Sequence, residues 1–258
     1  MLDSLYIAAT GMHAQQLNVD TIANNLANVN TAAFKRSRVS FEDLLYRELA
    51  ARQGLLGAEA PARFGAGVAV ADTVRIFADG DLRKTEGPLD VALRGQGFFE
   101  VLLPDGSRAY TRNGALQVNR DGLLATGDGH VLAANLQVPP DAREIAIDTS
   151  GRVTARVAGE ARPVEIGQLE LARFLNPAGL SAQGGNLYVA TDKSGDAQPG
   201  RPGEEGFGTL VQGFLESSNV KLVDELVGLV QAQRAFEVNA RALQASDELL
   251  SLINNLRR

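Results

Sequence analysis

The residues of this chain that could do chemistry are few and scattered. His13 lies within an apolar helical pattern, His130 lies in the turn sequence TGDGHV, and the 258-residue chain contains no cysteine. Nucleophilic catalysis or metal binding needs several such groups at a recurring spacing, for example H-x-x-x-H, and the sequence has no such motif. We therefore expect no catalytic residue, no bound metal and no other cofactor.

Two glycine- and aspartate-containing stretches resemble ligand-binding loops only in part. RGQGFF contains Gly95 and Gly97, but Glu100 stands where G-x-G-x-x-G has its third glycine, and no helical pattern follows. Asp121 and Asp128 are close in sequence, yet the calcium loop of an EF-hand, with its final Glu, is absent. The glycines are typical of a bulge or a close backbone approach in a sheet, and the aspartates of hairpin turns.

Charge and hydropathy exclude other classes of protein. The net charge of -6 and the sequence pI of 5.1 argue against nucleic-acid binding, which normally uses a clustered basic face. No run approaches the roughly 18 apolar residues of a membrane span. The first residues include Asp3 and no early Lys or Arg, unlike a cleavable signal peptide. We expect a protein that does not span a membrane and that leaves the cytosol, if at all, without signal cleavage.

Both ends of the chain carry helical heptad patterns. Steps of three and four from Leu5 give one apolar seam, formed by Leu5, Ala8, Met12, Gln15, Val19, Ile22, Leu26 and Val29. The second seam is formed by Leu222, Leu226, Leu229, Gln233, Phe236, Ala240, Leu243 and Leu250. A narrow seam on a long helix needs a covering partner, because helix propensity alone contributes little stability. We expect the two helices to pair and further copies to cover their flanks.

Asparagines crowd the end of the first helical pattern, in TIANNLANVNTAAFK. Asn24 and Asn28 are i,i+4 neighbours, and polar residues beside a seam can fix register and partner choice. We therefore expect Asn24, Asn25 and Asn28 to fix the register between subunits, and Gln233 and Asn239 to do the same from the second helix. The alternative, which spacing leaves open, is that the asparagines cap a helix end.

Between the two helices the hydrophobic period changes to two. Turns at 104–106, 121–122 and 150–151 separate short strands, a pattern typical of an all-β sandwich or barrel. The expected fold class is α+β, with long N- and C-terminal heptad helices in a discontinuous helical domain and a central all-β domain. The predicted segments are a helical assembly domain (1–36 and 213–258), an extended arm (37–67), a β-rich outer domain (68–200) and a linker (201–212).

The two ends together resemble a known family. ANNLANVNTAAFKR and ELVGLVQAQRAFEVNARALQASDELL resemble the paired terminal motifs of the flagellar axial family, which includes rod, hook and hook-associated proteins. Within that family, GQGFFEVLLPDGSRAYTRNGALQV, SFEDLLY and ESSNVKLVDELV look most like the distal rod members. The resemblance covers nearly the whole chain and is weakest over residues 47–63 and 141–162.

This resemblance implies a non-enzymatic subunit of the bacterial flagellar basal body. Copies would polymerise helically into the hollow distal rod, the drive shaft that transmits torque from motor to hook. The helices would form an inner tube and the β domain an outer layer, and the arm would keep the rod straight. The implied location extends from the periplasm to the outer membrane. The implied partners are further copies of the chain, proximal rod proteins, the hook protein, the P-ring and L-ring bushing proteins and the flagellar type III export apparatus.

The predicted subunit interface combines both helices. Its members are Leu5, Met12, Val19, Ile22, Asn24, Asn25, Leu26, Asn28, Leu222, Leu226, Leu229, Gln233, Phe236, Asn239, Leu243 and Leu250. One position departs from the family motif, which usually has Gly before its aromatic residue, because Ala33 precedes Phe34 here. Either the helix ends differently, or Ala33 takes an ordinary backbone dihedral.

Three rival functions stay open. A proximal rod or hook-type subunit of the same family would share both terminal motifs. A closed oligomeric coiled-coil adaptor would show a small, fixed stoichiometry in solution. A secreted β-rich enzyme that processes carbohydrate or peptidoglycan would lose turnover when Glu100 or His130 is replaced.

Overall fold

The computed structural model describes residues 2–44, 47–48, 63–160 and 162–256. The chain divides into two compact units, each assembled from distant parts of the sequence. We call the first the helical unit; it takes in Met1–Ala27, Ser37–Arg75 and Lys221–Arg258. The second, the β unit, takes in Asn28–Arg36 and Ile76–Val220.

The helical unit contains both long helices and a small amount of sheet. Helix α1 spans Leu2–Ala27 and helix α2 spans Leu222–Leu256. The strands are β1 (Ser37–Asp43), β2 (Arg47–Glu48), β3 (Arg63–Phe64) and β4 (Val68–Arg75). Strand β1 pairs antiparallel with β4, and β2 pairs antiparallel with β3. The expected terminal helices are confirmed, and neither is long and apolar enough over its described residues to cross a membrane.

The predicted arm is only partly visible. Residues 45–46 and 49–62 lie outside the described residues. The described part is regular antiparallel ribbon rather than loop, because β1 and β4 pair along nearly their whole lengths and Val39 is buried. The predicted boundary at residue 68 therefore falls at the start of a strand that pairs within the helical unit.

The β unit is built from short antiparallel strands. They are β5 (Leu82–Lys84), β6 (Val91–Arg94), β7 (Phe98–Leu102), β8 (Arg108–Thr111), β9 (Leu116–Val118), β10 (Leu124–Thr126), β11 (Val131–Leu132), β12 (Ala142–Ile147), β13 (Arg152–Val157), β14 (Val164–Gln168), β15 (Leu171–Arg173), β16 (Ser181–Gly184), β17 (Leu187–Val189), β18 (Gln198–Gly200), β19 (Thr209–Gln212) and β20 (Phe214–Glu216). A 3-10 turn, Pro177–Gly179, precedes β16.

The largest sheet of the β unit has the order β16-β17-β8-β7-β11-β10-β9. Strand β15 pairs with the first residues of β7 and with β18. The meander β12-β13-β14 and the pairs β19-β6 and β20-β5 form separate small sheets. The central all-β region expected from the alternating pattern is confirmed.

The expected hairpin turns join neighbouring strands of this unit. They lie between β7 and β8, β9 and β10, and β12 and β13. Gly106, Gly122 and Gly151 take φ values of +82°, +80° and +84°, which side chains with a Cβ adopt only with strain. These glycines are therefore the local reason that each strand reverses where the sequence predicts.

The core of the β unit has an aliphatic and an aromatic part. The aliphatic part includes the fully buried Leu93, Val101 and Leu124. The aromatic part is a cluster of rings that pack edge to face at centroid distances of 4.8 to 6.1 Å; its members are Phe77, Phe98, Tyr110, Phe174 and Tyr188. Edge-to-face packing places the positive ring edge on the negative face of its neighbour, which adds to the burial of apolar area.

The Pro- and Gly-rich segment 201–212, expected to be a linker, belongs to the β unit. Its last residues form β19, which pairs with β6, and Phe207 packs against the aliphatic core. A Cβ built on Gly208 would lie 2.5 Å from the carbonyl oxygen of Arg94. Glycine is needed here for a close backbone approach, which its composition alone does not distinguish from a flexible connection.

Candidate assembly interface

Helices α1 and α2 lie antiparallel and contact each other through small residues. Ser4 Oγ donates a hydrogen bond to Ser246 Oγ at 3.4 Å. Near the middle of the pair, a Cβ built on Gly11 would lie only 3.0 Å from Asn239 Nδ2. Small residues at a helix contact let the two backbones approach closely.

The same register continues to the other end of the pair. A Cβ built on Gly228 would lie 3.5 Å from Ile22 Cδ1, and Asn25 Nδ2 donates to Glu225 Oε2 at 3.2 Å. The steps between successive contact pairs are seven, eleven and three residues on both helices. The two seams are therefore matched residue for residue along the helix pair.

This intrachain seam uses the predicted heptad frame of α2 only in part. Glu225 and Ala232 are buried on the seam, whereas the predicted Leu222 and Leu226 are 49% and 44% exposed. The physical reason is size, since facing leucines would hold the backbones apart where glycine, alanine and serine let them meet. Periodicity locates the apolar stripe but does not show which neighbouring stripe faces the partner helix within the chain.

Asn25 is the best-buried polar residue of α1, with 1% of its surface exposed. Its Nδ2 donates to the carbonyl oxygen of Ser37 at 2.8 Å, and its Oδ1 accepts from the Ser37 amide at 2.9 Å. With its bond to Glu225, this side chain ties α1, β1 and α2 together within one chain. The amide thus has its partners inside the helical unit, and a register role between subunits stays a prediction.

The other predicted polar residues occupy different environments. Asn28 follows α1, and its backbone and side-chain oxygens accept from Thr31 N and Oγ1, each at 3.1 Å. That geometry favours the capping alternative for Asn28. Asn24 and Gln233 are exposed, and Asn239 lies on the seam beside Gly11.

The predicted apolar interface residues differ in how far the helix pair covers them. Phe236, which is 38% exposed, is an exposed side chain like Leu222 and Leu226. Ile22 is the one buried member of the predicted apolar set. The half-buried members of the predicted set are Leu5, Met12, Val19, Leu26, Leu229, Leu243 and Leu250. Within one chain, the helix pair therefore leaves much of its apolar surface uncovered.

Sequence reasoning missed a second group of exposed apolar residues on the same helices. Its members are Tyr6, Ile7, Leu17, Val223, Val227, Val230, Val238, Leu249 and Leu252. Val223, Val227 and Val230 are four and three residues apart, so they share one face of α2. β-branched residues are poor choices for an exposed helix surface, and this spacing was the available signal. Large exposed apolar surfaces of this kind mark interaction sites.

A buried ionic cluster in the β unit was also missed. It consists of Lys35, Asp79, Arg112 and Glu216. Lys35 Nζ donates to Glu216 Oε1 at 2.6 Å, and Arg112 Nε donates to Glu216 Oε2 at 2.9 Å. Both cations and Glu216 are 3% exposed or less. The three buried charges are thus paired, as buried charges must be, while the Asp79 side chain is half exposed.

Arg112 is held by more than its carboxylate partners. Its NH1 donates to the carbonyl oxygens of Gly95 and Gly97 at 3.0 and 3.3 Å. Its NH2 donates to Asp79 Oδ1 at 2.9 Å and to the Leu93 carbonyl oxygen at 3.4 Å. This guanidinium therefore fixes the backbone between β6 and β7 and orients Glu216 at the same time.

Burial lowers the pKa of Lys35 below its ordinary value of 10.5. The positive charge of Arg112 acts in the same direction, while the charge and hydrogen bond of Glu216 oppose it. Loss of hydration disfavours the ammonium form, and here that loss outweighs the attraction of the carboxylate.

The backbone conformation of Ala33 shows what happens where this chain departs from the family motif. It takes φ of +57° and is 1% exposed, so it adopts the left-handed conformation that glycine normally supplies. Its amide donates to the carbonyl oxygen of Glu216 at 2.8 Å. Of the two alternatives left open by the sequence, an ordinary dihedral at Ala33 is wrong, and the left-handed turn accompanies this hydrogen bond and the docking of Lys35 two residues later.

The described residues hold no group of three or more His, Asp or Glu side chains that could bind a metal ion. His130 lies in the β10–β11 turn, where its carbonyl oxygen accepts from the Thr126 amide at 2.8 Å. Glu100 pairs with Arg108 across β7 and β8 at 3.0 Å. The two side chains named for an enzymatic rival therefore occupy a turn and a cross-strand ion pair.

Three family models match separate parts of the chain. A model of the flagella basal body rod protein matches residues 5–35. One of the D1 domain of flagellar hook protein FlgE/F/G matches residues 92–155. One of the C-terminal region of flagellar basal body rod FlgEFG protein matches residues 211–256.

Full-length relatives give the same result. The chain is 45% identical over 265 residues to the flagellar basal-body rod protein FlgG of Borreliella burgdorferi, with all of both chains covered. It is 38% identical to the protein of that name in Bacillus subtilis, again over all of both chains. The flagellar hook-basal body complex protein FlhP of Bacillus subtilis is 29% identical over the same coverage.

Proposed function

Because the chain belongs to the flagellar basal-body rod protein family, we propose that the exposed apolar face of its helix pair joins one copy to the next in the rod. Membership confirms the resemblance stated from the terminal motifs, and it makes the chain a structural component of the flagellar basal body. The observation that carries the proposal is the uncovered apolar surface of α1 and α2 described above.

A repeating assembly suits this surface. Because small residues form the contact between α1 and α2, many large apolar residues of these helices stay exposed, and neighbouring copies can bury them. Many such contacts repeated along a lattice add up even where each is weak. In this arrangement the helices of successive copies form the inner tube of a hollow shaft, and the β units form its outer layer.

Position within the rod is a further part of the proposal. We assign the chain to the distal rod, where it transmits torque from the motor to the hook. Support comes from the full-length similarity to proteins named FlgG and from the lower identity, 29%, to a hook-basal body complex protein. The rival within the family is a proximal rod or hook-type subunit, and it predicts incorporation at another level of the structure.

The proposed partners follow from that position. They are further copies of the chain, the proximal rod proteins, the hook protein, the P-ring and L-ring bushing proteins and the flagellar type III export apparatus. The proposed location runs from the periplasm to the outer membrane, with export that needs no signal cleavage. We propose no enzymatic activity and no nucleic-acid partner.

The assembly surface is tested by replacing Leu226, 44% exposed on α2, with aspartate. Leu226→Asp should abolish polymerisation of the purified protein and rod formation in cells, because it would bury a charge between copies. Leu175→Asp is the matched control, since Leu175 is 90% exposed in the β unit and lies outside the proposed surface. Normal assembly of Leu226→Asp would contradict the proposal.

Two measurements separate the remaining rivals. Sedimentation of the concentrated protein should show open-ended growth of polymers, whereas a coiled-coil adaptor would stop at a small, fixed number of copies. An enzyme would show turnover of carbohydrate or peptidoglycan that is lost in His130→Ala or Glu100→Gln. Polymer growth without turnover supports the structural function.

A further inference from the structure

Three segments of the β unit meet at two residues near its C-terminal end, Glu216 and Asn219. Glu216 binds the side chain of Lys35 and accepts from the Gly80 amide at 2.8 Å. Asn219 Oδ1 accepts from the Arg36 amide at 2.8 Å. The segments 28–36, 76–81 and 213–220, which are distant in sequence, are thus joined at one place.

Further hydrogen bonds of Asn219 and Lys35 to backbone carbonyl oxygens join the same three segments. Its Nδ2 donates to the carbonyl oxygens of Ile76 and Ala78 at 2.7 and 3.1 Å. Its amide donates to the carbonyl oxygen of Phe34 at 3.3 Å, and Lys35 Nζ donates to that of Ala78 at 2.7 Å. Each of the three segments therefore binds the other two, and each contributes to the surface on which the others dock.

The buried charges make this docking mutual. If the segment 28–36 is displaced, Glu216 loses its bond to Lys35 inside the fold; if 213–220 is displaced, Lys35 and Arg112 both lose a carboxylate. Displacing 213–220 therefore leaves two buried cations without their carboxylate. Displacing 28–36 leaves Glu216 paired with Arg112 but takes the Arg36 amide from Asn219. A state with only one segment in place therefore lacks either the carboxylate of the cluster or the hydrogen bonds that Asn219 makes with 28–36.

We propose that Lys35, Arg112, Glu216 and Asn219 form a lock that closes only when both the N-terminal segment 28–36 and the C-terminal segment 213–220 are present. Lys35 and Glu216 are 181 residues apart. In a chain that emerges from its N-terminus, the first segment must wait undocked until nearly the whole β unit exists. This inference rests on contacts within one chain and does not depend on the proposed function.

Hydrogen exchange on the full-length protein tests the lock. In Lys35→Met, amide protection should fall about tenfold or more in 28–36, 76–81 and 213–220 together, while β7 and β8 stay protected. Glu100→Gln, which removes a carboxylate from the partly exposed pair with Arg108, is the control and should change none of the three. Loss confined to 28–36 would overturn the proposal, because the segments would then dock independently.

Refolding of the wild-type chain gives a second test, which does not depend on whether a variant folds. With pulsed exchange labelling, 28–36 and 213–220 should gain protection in one kinetic phase, after the strands β7 and β8. Asn219→Ala, which removes hydrogen bonds without leaving a buried charge unpaired, should slow that phase for both segments equally. Earlier protection of 28–36 than of 213–220 would refute the lock.

Discussion

Lys35 Nζ lies 2.6 Å from Glu216 Oε1, and both side chains are almost completely removed from solvent. Glu216 also accepts from Arg112, so one carboxylate compensates two buried cations. Such a group is a weak source of net stability when intact, yet loss of its carboxylate is costly, since both cations would then lose this partner without regaining water.

Glu216→Gln should therefore lower the free energy of unfolding by about 3 kcal/mol or more. In a chain that already carries Lys35→Met, Glu216→Gln should cost less than it costs alone, because one of the two cations it would orphan is already gone. Urea unfolding followed by circular dichroism measures both. Arg156→Met, in an exposed ion pair with Glu144 at 3.2 Å, is the control and should leave the midpoint nearly unchanged. Additive losses in the double variant would contradict the coupling.

The lowered pKa of Lys35 predicts a pH dependence of known sign. Because the unfolded chain keeps this proton up to pH 10.5 and the folded chain releases it earlier, the folded state binds fewer protons between the two values. Stability from this group should therefore increase as pH rises through that window. NMR of the lysine side chain should give a midpoint below 10.5 that disappears in Lys35→Met. A midpoint at or above 10.5 would mean that Glu216 outweighs burial.

The left-handed conformation of Ala33 predicts that glycine is tolerated at this position and that valine is not. Ala33→Gly relieves roughly 1 kcal/mol of backbone strain and loses a buried methyl of about 0.8 kcal/mol, so stability should change little. Ala33→Val places a branched side chain at a buried positive-φ position and should cost about 2 kcal/mol or more. Ala32→Val is the control one residue earlier. Thermal unfolding measures all three, and equal losses at Ala32 and Ala33 would show that conformation is not the cause.

The close contact of small residues between α1 and α2 predicts that side-chain size, rather than hydrophobicity, decides which substitutions Gly228 tolerates. Gly228→Ala should raise the stability of the helix pair by up to about 1 kcal/mol, because alanine favours helix and its Cβ meets Ile22 at ordinary contact distance. Gly228→Leu should lower helix content, although leucine also favours helix, since its side chain would separate the backbones. Circular dichroism during heating compares the two variants. Stabilisation by leucine would refute close packing at this position.

Local patterns predicted most of the fold. The heptad stripes from Leu5 and Leu222 indicated two helices, and the turns that contain Gly106, Gly122 and Gly151 indicated the hairpins they now join. Each signal lies within a few residues of the structure it specifies, so periodicity and turn chemistry are sufficient to find it.

The parts that were missed depend on distant residues. Nothing near Lys35 shows that Glu216 will meet it, because the pair is 181 residues apart. The seam of α2 was assigned to leucines because apolar periodicity weights large residues, while Gly228 and Ala232 form the close contact. The segment 201–212 was assigned to a linker since its glycines give the same composition whether they bend freely or pack tightly.

The equal steps between contact pairs on α1 and α2 also restrict how this chain can change in length. If Ile22 and Asn25 keep their partners, a deletion of seven residues between Gly11 and Ile22 would move Ser4 and Gly11 away from Ser246 and Asn239. Removing the facing seven residues of α2 as well would restore each match. Insertions and deletions in the two ends of the chain should therefore be inherited together, although the ends are separated by the whole β unit.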